Sequence, residues 1–362
     1  CAKHFAAYGA CIGGRDYNTV DISRLTLHEV YLPPFRAAAE AGVATFMNAF
    51  NEVEGVPATG NTHLVREVLK GDWNFNGFVV SDWNSVGEMV NHGLVPDLKG
   101  AAYKGVTAGC DMDMESRAYT SHLEELVKEG TVDEAYIDDA VRRILLKKFE
   151  LGLFDDPFRY CNEQRQQKTV LSPELRQVAR EAGAESIVLL KNDNGVLPLK
   201  EPEHIAVVGA LADSKEDMMG SWAIEGVREE AITVLQGIKT RYPNSVIAYA
   251  DGYDLETNQL DLAGAKRVAT MSDIVIVGVG ERAYQSGEAR SMAHIDVPDS
   301  QQQLVKHLKE MGKKVIVLVM GGRPLIFNEL EPYADAILMT WWLGTEAGNS
   351  IADVLSGDCL LY

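Results

Sequence analysis

The chain has 362 residues, 46% of them apolar, which is enough for two domains with cores of their own. A formal charge of −19 repels phosphate and anionic headgroups, so nucleic acid is excluded as a partner, and no apolar run is long enough for membrane insertion. The scattered cysteines Cys1, Cys11, Cys110, Cys161 and Cys359 lack CxxC spacing and predict neither a disulfide framework nor a zinc site, with Cys110 reading as a small core residue.

The first region alternates short strands with amphipathic helices. Strands are predicted at 2–5, 44–49, 78–81 and 105–112, and helices at 27–41, 62–69 and 136–150. Such alternation implies parallel strands joined by right-handed crossovers. The strands end in Lys3-His4, Met47-Asn48, Ser81-Asp82 and Asp111-Met112-Asp113, which is how a (β/α)8 barrel presents its active face. A whole barrel takes roughly 250 residues, so the C-terminal half of a TIM-like barrel is expected here, over residues 1–160.

Gly152 and Pro157 close the last helix of this region, and the polar run Asn162–Lys168 reads as a linker. A linker and entry helix are therefore placed at 161–185, with the helix itself at 174–184. Residues 186–362 then alternate again, with strands at 187–190, 205–209, 246–250, 274–279, 315–320 and 336–341 and helices at 300–311 and 348–355. This predicts an αβα sandwich with helices on both faces of a sheet. Because the chain opens on Cys1 rather than Met, its true N-terminus is expected to lie upstream. The compartment stays open on that account: periplasmic or extracellular with an upstream signal peptide, cytoplasmic otherwise.

Chemistry gathers at Gly77-Phe78-Val79-Val80-Ser81-Asp82-Trp83-Asn84, a strand buried on both faces that ends in a carboxylate beside an indole. A charge at the mouth of a buried strand is costly unless paired or used. Asp82 is thus a candidate catalytic residue, and Trp83 offers a flat apolar face on which a sugar ring can stack. Glycosidic bonds are cleaved by two carboxyl groups. The loop after the 274–279 strand holds Glu281 and Glu288, either of which could donate the proton, although polar loops usually carry acids for solubility alone. Lys3 and His4 are candidate hydrogen-bond donors at a strand end. The cluster Gly13-Gly14-Arg15-Asp16-Tyr17-Asn18 suits a loop on the active face or a tight turn. Asp111 and Asp113 need partners, which loop amides or Lys and Arg side chains would satisfy. No G-x-G-x-x-G, H-E-x-x-H or G-x-S-x-G signature occurs.

Taken together, Lys3–Gly9, Gly13–Asp21, Met47–Ala58, Gly77–Trp83, Leu151–Pro157, Glu185–Asn192 and Gly344–Leu355 resemble the family-3 glycoside hydrolases, in their β-glucosidase branch. The resemblance implies a retaining, exo-acting enzyme with an oligosaccharide or glycoside substrate, no metal or organic cofactor, and homodimerisation left open. Asp82 matches the nucleophile and Glu288 the acid/base, with Glu281 the alternative. Lys3, His4, Met47 and Trp83 match positions around the terminal sugar, and Arg15 is counted with them as substrate-binding. It also implies barrel strands before Lys3 and a further domain after the last residue, so that the chain reads as an internal fragment. A β-xylosidase or other family-3 exo-glycosidase, and a non-catalytic fragment of such an enzyme, are the competing readings. Xylosidases tend to follow the nucleophile with Cys, where this chain has Trp83. A β-N-acetylglucosaminidase is disfavoured because Lys3-His4-Phe5 runs on into Ala6-Ala7-Tyr8.

Overall fold

The computed structural model describes residues 1–359. It forms two compact units, the first Cys1–Asn162 and the second beginning at Glu163. The last three residues of the predicted sandwich domain, 360–362, lie outside the described part.

In the first unit β1 (Ala2–Phe5), β2 (Thr45–Asn48) and β3 (Phe78–Val80) pair in parallel, in the order β1-β2-β3. The register sets Phe46 against Val79 and Met47 against Val80. Phe5, Phe46 and Val79 are buried with Leu64, Val65 and Val68, so one face of the strands packs on the helical layer. This is an arc of a (β/α) barrel, with its strand ends aligned along one edge. The helix predicted over 27–41 starts early, at Arg24–Thr26, passes through one wide turn at Leu27–Tyr31 and continues to Glu40.

The fourth predicted strand, 105–112, is corrected by the structure. Residues Leu98–Ala108 form a helix that ends where Gly109 turns left-handed at φ 105°. Burial of Ala101, Ala102, Gly105 and Val106 follows the helical period, whereas the short apolar run 105–112 taken alone suits helix and strand alike. What remains of the strand is a parallel bridge between Val80 and Met112. The polar run read as a linker is helical, since Glu163–Thr169 is a helix with no buried residue. Glu, Gln, Arg and Lys all favour helix, so polarity there signals exposure rather than coil.

The second unit is built on six strands: β4 (Val188–Asn192), β5 (His204–Val208), β6 (Val246–Ala250), β7 (Ile274–Gly280), β8 (Lys314–Met320) and β9 (Ala336–Met339). Their order is β4-β9-β8-β7-β5-β6, parallel except for the β9–β4 pair. Every residue of β7 is buried, as a continuous β-branched run requires when both faces are covered. From β5 the chain moves outward to β6, then returns across the sheet to β7, β8 and β9. Right-handed crossovers put helix Val234–Arg241 on one face and Leu262–Thr270 with Asp299–Glu310 on the other. The strand order reverses between β5 and β7, and open α/β sheets bind ligands in the crevice outside the carboxyl ends at such a reversal.

Candidate active site

Asp82 leaves β3 two residues past Val80, and backbone pairing fixes that exit. Ser81 N donates to Met112 O at 2.9 Å, Asn84 N to Met114 O at 2.9 Å, and Met114 N to Ser81 Oγ at 2.8 Å. The Asp82 side chain is 14% exposed; its Oδ1 accepts from Trp83 N at 2.7 Å and its Oδ2 lies 3.3 Å from His4 Nε2. Parallel pairing across β1, β2 and β3 therefore brings together two residues that stand far apart in sequence. Met47, half-buried in β2, pairs in register with Val80 of the same strand exit. Lys3 and Trp83 are exposed, Trp83 by 62%, so the indole keeps a free apolar face. Arg15 is exposed beyond the turn Ile12–Gly14 and is not among the described partners of Asp82.

Asp111 and Asp113 prove to be scaffold. Asp111 Oδ2 accepts from Val79 N at 2.7 Å and Oδ1 from Lys70 Nζ at 2.6 Å, with both side chains almost fully buried. Burial pushes the Asp111 carboxyl up and the Lys70 amine down, each resisted by the other's charge. Asp113 accepts from Ser116 Oγ at 2.7 Å and from Tyr119 N at 3.3 Å, closing the start of helix Ala118–Lys128. Cys110 is buried, and burial with the neighbouring Asp111 charge pushes its thiol up to about 12, which leaves it a core residue.

In the second unit the two loop glutamates separate sharply. Glu281 is 3% exposed, and its Oε1 accepts from Gly322 N at 3.1 Å and Arg323 Nε at 3.2 Å. Glu288 is exposed and lines a cavity of about 330 Å³ with Glu216, Ser221, Trp222, Tyr284 and Arg290. The cavity is walled by the segments that follow β5 and β7, so it sits at the reversal of strand order. A cavity of about 390 Å³ opens at the opposite edge, beside Ile274 and Lys314 where strands begin. Ligands of open sheets bind at the carboxyl edge, so the Glu288 cavity is the candidate site. Sequence reading missed Trp222, 62% exposed in a stretch without helix or strand period. A Trp in the aperiodic stretch Gly220-Ser221-Trp222-Ala223, where no core pattern calls for one, is the signal the sequence offers.

Comparison with known proteins followed the same two-part division. Residues 1–146 match the model of the glycosyl hydrolase family 3 N-terminal domain, and residues 187–359 that of the family 3 C-terminal domain. A periplasmic beta-glucosidase of Salmonella typhimurium is 40% identical over 98% of this chain and 50% of its own length. A beta-xylosidase of Formosa agariphila is 36% identical over 99% of this chain and 52% of its own. The crystal structure of a beta-glucosidase from Listeria innocua in complex with glucose superposes with a TM-score of 0.90 at 40% identity, covering 99% of this chain and 49% of that one. The chain spans about half the length of the curated relatives it matches.

Proposed function

The chain belongs to glycoside hydrolase family 3, and from that premise we propose that it carries the nucleophile and the acid/base of a retaining β-glucosidase acting on terminal β-linked glucose. One Asp82 oxygen attacks the anomeric carbon as the bond to the leaving oxygen breaks, and Glu288 gives that oxygen its proton. A glycosyl ester on Asp82 results. Water then attacks the same carbon, Glu288 takes the water's proton, and Asp82 leaves as a carboxylate. No metal or organic cofactor enters these steps. His4 beside Asp82, with Lys3, Met47 and Trp83 around the strand exit, supplies donors and apolar surface for the terminal sugar. Trp222 and Tyr284 near Glu288 offer faces for the leaving group.

The observation that carries the reading is Asp82 itself: a carboxylate at the carboxyl end of a parallel strand, held by Trp83 N and facing an imidazole. The experiment is covalent trapping. A 2-deoxy-2-fluoro-glucosyl fluoride should label the full-length protein at Asp82, seen as a mass shift on the peptide containing it, and labelling at another carboxylate removes Asp82 from the role. Glu288→Ala should then lose about 10²–10⁴-fold on alkyl glucosides and, with 2,4-dinitrophenyl glucoside as substrate, yield β-glucosyl azide when azide is added. The similarity to a beta-xylosidase supports a second reading, decided by the ratio of kcat/KM on aryl glucoside and aryl xyloside. One substituent's difference in a pocket discriminates by only about 1–3 kcal/mol.

A further inference from the structure

The loop that bears Glu288 is held at several points. Gly280 N donates to Gln301 Oε1 at 2.7 Å, Ala283 N to the fully buried Asp217 at 2.7 Å, and Arg282 N to Gln285 Oε1 at 2.7 Å. One side chain links this loop to the next strand's exit. Arg323, in the turn after β8, donates from Nε to Glu281 Oε1 at 3.2 Å and from Nη2 to the Gln285 carbonyl at 2.6 Å. Two fork nitrogens thereby grip both ends of the segment 281–285, immediately before Ser286-Gly287-Glu288. The geometry suits Arg, whose donors diverge in a fixed plane; Lys offers a single point charge.

The adjoining glycine shows how closely the two loops approach. A Cβ at Gly322 would lie 2.7 Å from Ser286 Oγ, so the turn bearing Glu288 rests against bare backbone. Gly322 N also donates to the same Glu281 oxygen that Arg323 uses. The other oxygen, Oε2, is buried and has no hydrogen-bond partner among the described residues. Glu281 is therefore committed to the Gly322–Arg323 turn.

We infer that Arg323 is a positioning residue, which through Glu281 and the Gln285 carbonyl fixes the turn that presents Glu288 to the leaving oxygen. The inference rests on the acid/base reading of Glu288 and goes beyond it by naming what aims that group. A proton donor displaced by about 1 Å can lose about 100-fold in rate, and the loss falls on leaving groups that need the proton.

The test uses Arg323→Lys and the double change Arg323→Met/Glu281→Gln, which removes both charges so that no buried carboxylate is stranded. In both, kcat/KM on an alkyl glucoside should fall by at least about 10-fold while kcat/KM on 2,4-dinitrophenyl glucoside, whose leaving group departs unassisted, stays within about threefold. Amide hydrogen exchange over 282–288 should rise at least about tenfold, with β7 and β8 unchanged. Equal losses on the two substrates, or unaltered exchange in the loop, would overturn the inference. Glu288→Gln serves as the reference: if it shows no leaving-group dependence the acid/base reading falls, while the exchange measurement still decides whether Arg323 holds the loop.

Discussion

The two units solve the same problem, holding a carboxyl group steady, with different materials. In the second unit all of β7 and all of β8 except Lys314 are buried, so apolar contact on both faces secures the sheet. In the first unit Thr45, Met47 and Phe78 stay half-buried, and charged side chains bolt β3 in place. Asp111 takes the Val79 amide, and Arg143 Nη1 donates to the Phe75 and Gly77 carbonyls, each at 2.9 Å. Directional bonds of this kind fix strand register, and register decides where Asp82 emerges. Glu288 lies eight positions beyond the last residue of β7, so its placement depends on ties between loops. The nucleophile candidate is set by a strand, the proton-donor candidate by ties between loops.

If the comparison holds, removing a charge should damage the first unit most. Lys70→Met leaves Asp111 buried without its cation, and a loss of about 3–5 kcal/mol is expected in the urea-unfolding transition of that unit. A loss below about 1 kcal/mol, ordinary for a surface pair, would break the contrast.

In the second unit the sensitive feature is close apolar packing. Helix Val234–Arg241 lies so near Ala347–Ser356 that a Cβ at Gly237 would collide with the Gly348 carbonyl oxygen. Gly237→Ala should therefore lower the second unit's stability by about 1–3 kcal/mol in thermal melts, leaving the first unit's transition in place.

The smallest effect concerns pH and sharpens the contrast. Burial works to raise the Asp139 carboxyl, but Lys70, Arg143 and Arg66 together hold it below its ordinary 3.8. Its folded value lies beneath the unfolded one, so the stability it contributes is present above 3.8 and is lost as pH falls through the depressed value. Asp139 is 34% exposed, and solvent screening keeps the contribution below about 1 kcal/mol. The stability difference between the wild type and Asp139→Asn should close between about pH 5 and pH 2.

How far the sequence reaches is clear from particular residues. Ile274-Val275-Ile276-Val277 announces a doubly covered strand because β-branched residues in series suit little else. Gly77–Asp82 was legible for the same reason, with the charge standing out against the apolar run it ends. Residues 105–112 misled because a short run of mainly small and apolar residues carries no period that separates helix from strand. Between Glu281 and Glu288 the residues alone offered no choice; resemblance favoured Glu288, and the burial of Glu281 was legible in neither.

Most local order, then, was written in the chain: the strand segments other than 105–112, the alternation of helices with them, and the exit of one strand at Asp82. Tertiary structure alone decided that His4 meets Asp82, that Asp111 and Glu281 are buried scaffold, and that Trp222 and Arg323 join the Glu288 loop. Periodicity encodes which face of an element is apolar, whereas these meetings depend on strand order and on where the sheet reverses direction. Both arise from contacts between segments remote in sequence, which no local pattern records.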